Sequence, residues 1–144
     1  MAYLHLILNH FPIVGLVIGV IILGVGLGFK SGLSKRIGLY VLIGSLLFSF
    51  PVFNSGEGAE EIVEHIPGVS IELIHEHEEI AELFMIFVWI TVPISLFTLY
   101  LDFKKIRYAD YFYKFVLILS LIAFFIVKKV ATTGGEIRHL EIRK

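Results

Sequence analysis

Imidazoles and carboxylates are the groups in this sequence whose types and spacing could do chemistry, and they are unevenly placed. The stretch AEEIVEHIPGVSIELIHEHEE, Ala59 to Glu79, holds seven Glu and three His, with His5 and His10 near the start of the chain and Glu136 and His139 near its end. Mixed imidazole and carboxylate donors suit iron, zinc, manganese or copper(II). Glu61 and His65 are four residues apart, a spacing at which two side chains on one helix can chelate one ion. Glu72 with His75, and Glu136 with His139, have the E-x-x-H spacing that carboxylate-bridged di-metal bundles combine with further Glu. The match is partial, because neither pair falls mid-bundle and Glu72 and His75 share an outward face. The candidate metal ligands are His5, His10, Glu61, His65, His77, Glu78, Glu136 and His139. Cysteine is absent, which excludes disulfides, thiolate zinc sites and cysteine-held iron–sulfur clusters. Two Met are too few for a methionine-rich copper(I) carrier.

The elements that must position these groups are greasy. Of the 144 residues, 57% are apolar and the mean hydropathy is +0.87, against roughly 45–50% apolar usage in soluble domains. Apolar runs cover residues 4–29, 37–53, 80–101 and 111–131, and about 20 residues cross a bilayer core, so one domain of four spans is expected. Backbone polar groups in lipid must be satisfied within the segment, which makes each span a helix. The second run is the shortest and contains Pro51. No basic segment precedes the first run, while Lys30, Lys35 and Arg36 follow it, so it reads as a retained anchor with an outward amino terminus.

Threading four helices places the turns 30–36 and 102–114 on one face, with seven of the twelve Lys and Arg. By the positive-inside rule that face is cytoplasmic. The other face receives the amino terminus, the loop 54–79 and the tail after Ala131, and with them all eleven Glu, all six His and the remaining five Lys and Arg. Both Asp fall inside. The expected fold is all-α, an integral membrane four-helix bundle with a short amphipathic helix in the extracytoplasmic loop between spans 2 and 3.

Helical periodicity then sorts the candidates by direction. Ser70 is placed to cap a helix running into the third span after Pro67 and Gly68. At about 100° per residue, His77 shares a face with Leu73, Ile80 and Phe84, His75 lies opposite with Glu72, Glu79 and Glu82, and Glu78 falls at the edge. Ala59 to Ile66 reads as a surface helix with Glu60, Glu61, Glu64 and His65 on its polar side. In HLILNHFP, His5 and Asn9 share a face, whereas His10 points toward the stripe of Leu6, Ile13 and Val14. Gly134 and Gly135 are expected to stop the fourth helix and fold the tail over the outward mouth. Trp89, Tyr100, Tyr108, Tyr111 and Tyr113 read as interfacial anchors.

The segments HLILNHFPIVG, SGEGAEEIVEHIPGVS with the following HEE, and TTGGEIRH resemble those of a family of small bacterial four-helix membrane proteins of unknown function, distantly similar in plan to the bacterial di-haem cytochromes b. The resemblance covers nearly the whole chain and matches His5, Asn9, His10, Glu60, Glu61, His65, His77, Glu78, Glu136, Arg138 and His139, leaving His75 outside. It implies the bacterial cytoplasmic membrane, with both termini extracytoplasmic, and adds Arg138 as a cofactor contact.

Three functions follow as expectations. The first is a transition-metal site (iron, zinc, copper or manganese) at the outward mouth, redox-active if the ion is. The second is a b-type haem passing electrons from quinol to an external carrier, with His10 and His77 as axial ligands and Gly15, Gly19 and Gly44 making room for the macrocycle. The same Gly15 and Gly19 equally form a G-x-x-x-G helix contact. The third is an accessory subunit of a larger membrane complex or homo-oligomer, its acidic loop docking a basic soluble electron carrier. Phosphate loops, nucleic-acid-binding stripes and a serine triad are absent, and Ser55 and Ser70 are weak nucleophile candidates.

Overall fold

A computed structural model describes residues 5, 7–66 and 69–139, with the side chains of Glu57 and Arg138 outside that description. Leu4, Leu6, Pro67, Gly68 and the tail beyond His139 therefore lie outside the described residues. The described chain is helical: α1 (His10–Gly28), α2 (Gly32–Leu47), α3 (Ser49–Asn54), α4 (Glu57–Val63), α5 (Ile71–Phe103) and α6 (Ala109–Arg138). Four stretches, α1, α2 with α3, α5 and α6, are long and apolar enough to cross a bilayer, so the chain is a membrane protein built as a four-helix bundle.

Each boundary has a local cause. Ser31 caps α2 by accepting from Ser34 N at 3.2 Å, and Ser70 caps α5 as expected, accepting from Leu73 N at 3.4 Å. Pro51 cannot donate to the carbonyl of Leu47, and the chain breaks there between α2 and α3. Helix α5, with 33 residues, spans about 50 Å at 1.5 Å per residue and so projects well beyond a hydrocarbon core of about 30 Å. Its first two turns carry His75 and His77 clear of that core.

The buried residues of α1 are Pro12, Leu16, Gly19, Leu23 and Gly26, spaced four, three, four and three. Helix α2 buries Leu39, Leu42 and Leu46 at the same alternation, continued by Ser49. Along α5 the seam runs through Ile74, Phe84, Val88, Thr91, Ser95 and Thr98, and along α6 through Ala109, Tyr113, Val116, Ser120, Ala123 and Val127. A 3.5-residue repeat is the signature of side chains interlocking between nearly parallel helices. Small and hydroxyl residues on the seams let backbones approach, as packing in lipid requires. A Cβ built on Gly15 would sit 2.2 Å from Ser45 Cβ, and one on Gly19 2.6 Å from Leu42 Cγ. Gly15 and Gly19 thus seat α2 against α1, whereas a Cβ on Gly44 would meet nothing within 4 Å. Exposed Val14, Ile18, Ile21, Ile86, Ile118 and Phe125 face outward instead.

Two expectations fail. Helix α6 does not stop at Gly134 and Gly135 but continues to Arg138, because glycine lowers helix stability without forbidding it and here makes room for a ring from α5. Tyr113 is no interfacial anchor: it is fully buried, with Lys35 Nζ 4.9 Å from its ring centroid. Trp89, Tyr100, Tyr108 and Tyr111 are exposed.

Candidate functional site

The bundle has two chemically distinct ends. At one, Lys35 meets Asp110 and Arg36 meets Asp102, each at 2.5 Å. At the other, the end of α3 meets His5, and α6 meets His77 of α5.

His5 lies on the turn that leads into α1, whose helical bonding includes Asn9 N to His5 O at 3.0 Å. Its Nδ1 is 3.0 Å from Val52 O and 3.3 Å from Ser55 Oγ. A carbonyl only accepts, so Nδ1 carries the proton and donates. Ser55 Oγ in turn donates to Val52 O at 2.7 Å. His77 is set the same way from the opposite helix. Its Nδ1 is 3.0 Å from Thr133 Oγ1, whose own proton goes to Lys129 O or Val130 O, each at 3.1 Å. With that hydroxyl committed as donor, His77 Nδ1–H donates to it. A neutral ring with this tautomer keeps its Nε2 lone pair, and the hydrogen bonds found for His5 and His77 among the described residues all run from Nδ1.

The His77 ring packs on Gly134, where an added Cβ would stand 3.0 Å from Cε1. One turn further in than His5, Asn9 holds a buried Oδ1 with no donor among the described residues. The hydroxyls of Ser49, Thr91, Ser95 and Ser120 and the phenol of Tyr113 are also buried without a partner. A serine or threonine hydroxyl can turn to a carbonyl one turn back, as Thr98 does with Ile94 O at 2.7 Å. The Asn9 oxygen can only accept.

The remaining candidates separate. His75 is exposed, as its helical phase predicts, with Nδ1 3.4 Å from Glu78 Oε2. His10 is exposed, not inward: the stripe it joins, with Val14 and Phe11, faces outward because apolar residues cover the outside of a membrane bundle. Glu61 and His65 are both exposed, and His65 Nδ1 bonds back to the Glu61 carbonyl at 2.8 Å. His139 is exposed and Glu136 half-buried, and the Arg138 side chain lies outside the described residues. Among the described residues, no three His, Asp or Glu side chains gather closely enough to hold one ion. The eight-residue ligand set is not assembled as a unit.

The carboxyl of Glu60 on α4 is pushed up to about 7 by its pairing with the Glu78 carboxyl of α5, by burial and by the neighbouring charges of Glu78 and Glu64, with His75 opposing. Glu72, accepting from Ser70 Oγ at 2.6 Å, is held below the usual range.

No family model, curated protein or solved structure matches this chain. The functional reading accordingly stands on the site itself. The sequence signal for His5 and Asn9 was their place on the α1 seam: stepping back from Pro12 by three and then four residues reaches both.

Proposed function

We propose that the chain binds a redox-active first-row transition-metal ion at the extracytoplasmic end of the bundle, through Nε2 of His5 and Nε2 of His77, with the Asn9 side-chain oxygen as a third donor. The observation that carries this reading is the shared tautomer. Imidazoles that ligate metals almost always donate their other ring N–H to a carbonyl, carboxylate or comparable acceptor, which fixes the ring and raises its basicity. Both rings have that support, from Val52 O and from Thr133 Oγ1. Two nitrogens and one amide oxygen leave coordination positions open for an exogenous ligand, and such a donor set suits iron or copper(II). The basic end, with seven Lys and Arg against two Asp, supports a cytoplasmic placement for itself and an outward one for the imidazoles.

A b-type haem is the second reading, since two imidazoles from facing helices with free Nε2 atoms are also an axial pair. Protein purified from a membrane and analysed for metal content and visible absorption separates the two. The metal reading expects about one ion per chain and no Soret band. A Soret band with sharp reduced α and β bands selects haem, and a chain free of both after exposure to each ion overturns the proposal.

A further inference from the structure

The turns at the basic end share a feature that helix packing does not require. Helix α1 closes with Ser31 N bonded to Gly26 O at 2.9 Å and Lys30 N to Leu27 O at 3.3 Å, and α5 closes with Ile106 N bonded to Leu101 O and Lys105 N to Asp102 O, both at 2.9 Å. Each is a paired six-to-one and five-to-two closure whose pivotal residue sits in the left-handed region, where glycine is the usual occupant. Here that residue is Lys30, at φ 53°, and Lys105, at φ 54°, the only non-glycine residues of positive φ among those described. Lysine carries a steric penalty there that glycine avoids. Both are exposed, at the same end of the bundle.

Their surroundings make that end strongly cationic. The two Asp are already engaged, Asp110 by Lys35 and Asp102 by Arg36. That leaves Lys30, Lys104, Lys105, Arg107 and Lys114 without an acidic partner among the described residues, all of them exposed. Arg107 lies 5.7 Å from the Tyr108 ring centroid and Lys114 5.7 Å from that of Tyr111, the arrangement of amphipathic rings and cations found at headgroup level.

We infer that the two lysine-capped turns form a docking surface for the phosphate headgroups of anionic phospholipids in the adjoining leaflet. Charge complementarity and the level of the aromatic rings select this occupant over a soluble anion. Clusters of four to eight Lys and Arg beside a membrane span bind anionic lipid in this manner. The inference is independent of the imidazole site.

The test uses the full chain in nanodiscs of phosphatidylcholine with graded phosphatidylglycerol, reading by native mass spectrometry the lipids that remain bound. Glycine is the favoured residue at both positions, so Lys30→Gly with Lys105→Gly retains the fold, and an unchanged or raised melting temperature in pure phosphatidylcholine verifies it. The wild type is expected to enrich phosphatidylglycerol roughly fivefold for each of the two lysines, and the double variant to lose most of that preference. Equal lipid retention by both proteins, or no preference in the wild type, overturns the inference. So does a wild-type melting shift in pure phosphatidylcholine produced by inorganic phosphate alone, which identifies a soluble-anion site.

Discussion

An imidazole whose Nδ1–H is committed to a carbonyl has one thing left to offer, the Nε2 lone pair. His5 donates in that way to Val52 O, His77 donates instead to the Thr133 hydroxyl, and replacing the acceptor tests whether it matters. Thr133→Val removes the hydroxyl that His77 donates to while keeping its shape. It is expected to weaken ion binding 10- to 100-fold, the usual cost of losing such a support, with the melting temperature of the ion-free protein little changed; titration of the ion into both proteins measures it. Glu60 predicts a pH dependence of a definite sign. Its folded pKa, about 7, lies above the ordinary value of 4.5, so the folded form holds the proton more tightly than the unfolded one. The attachment of α4 to α5 is then strongest below about pH 4.5 and weakens as pH rises through 7. Hydrogen exchange of the α4 amides, corrected for intrinsic rate, should show protection falling across that window in the wild type and remaining flat in Glu60→Gln. The same fall in both proteins would remove Glu60 from the explanation.

The elements are held by glycine contacts whose two classes make opposite predictions. A Cβ on Gly38 would stand 2.7 Å from the backbone N of Leu23, which cannot turn aside, whereas one on Gly44 meets nothing within 4 Å. Gly38→Ala should lower stability by about 1–3 kcal/mol and Gly44→Ala should leave it equal or raise it by up to about 1 kcal/mol, as read by thermal unfolding in detergent. At this scale the sequence was largely legible. Apolar length announced four spans, Ser70 announced the start of α5, and phase separated His77 from His75. What misled was the assumption that an apolar stripe faces the core. In lipid the outside is as apolar as the inside, so His10, Phe11 and Val14 form a stripe that faces outward, while the interior is marked by the four-and-three alternation of small and polar residues. Gly134 misled differently: its lack of a side chain reads as a helix stop, yet it serves the ring of His77.

For the whole molecule, chain topology gathers groups distant in sequence, bringing His5 to Val52, His77 to Thr133 and Lys35 to Asp110. The charge segregation was readable from loop composition alone. The partners of the two half-buried imidazoles were not, because the sequence does not say that His5 meets Val52 and Ser55 or that His77 meets Thr133. The native chain has no Cys, so a single cysteine reports orientation cleanly. With both termini outward, Glu61→Cys should react with a membrane-impermeant maleimide in intact bacterial cells and Lys104→Cys only after lysis. The reverse pattern would invert the topology. The central claim, that Nε2 of His5 and of His77 bind one ion while each Nδ1 stays protonated, is tested most directly by pulsed electron paramagnetic resonance of the protein loaded with one copper(II) ion. The spectrum of the wild type should contain modulation from the remote nitrogens of two imidazoles, reduced to one in His5→Ala and in His77→Ala and unchanged in His75→Ala. Two-imidazole modulation that survives both substitutions would contradict it.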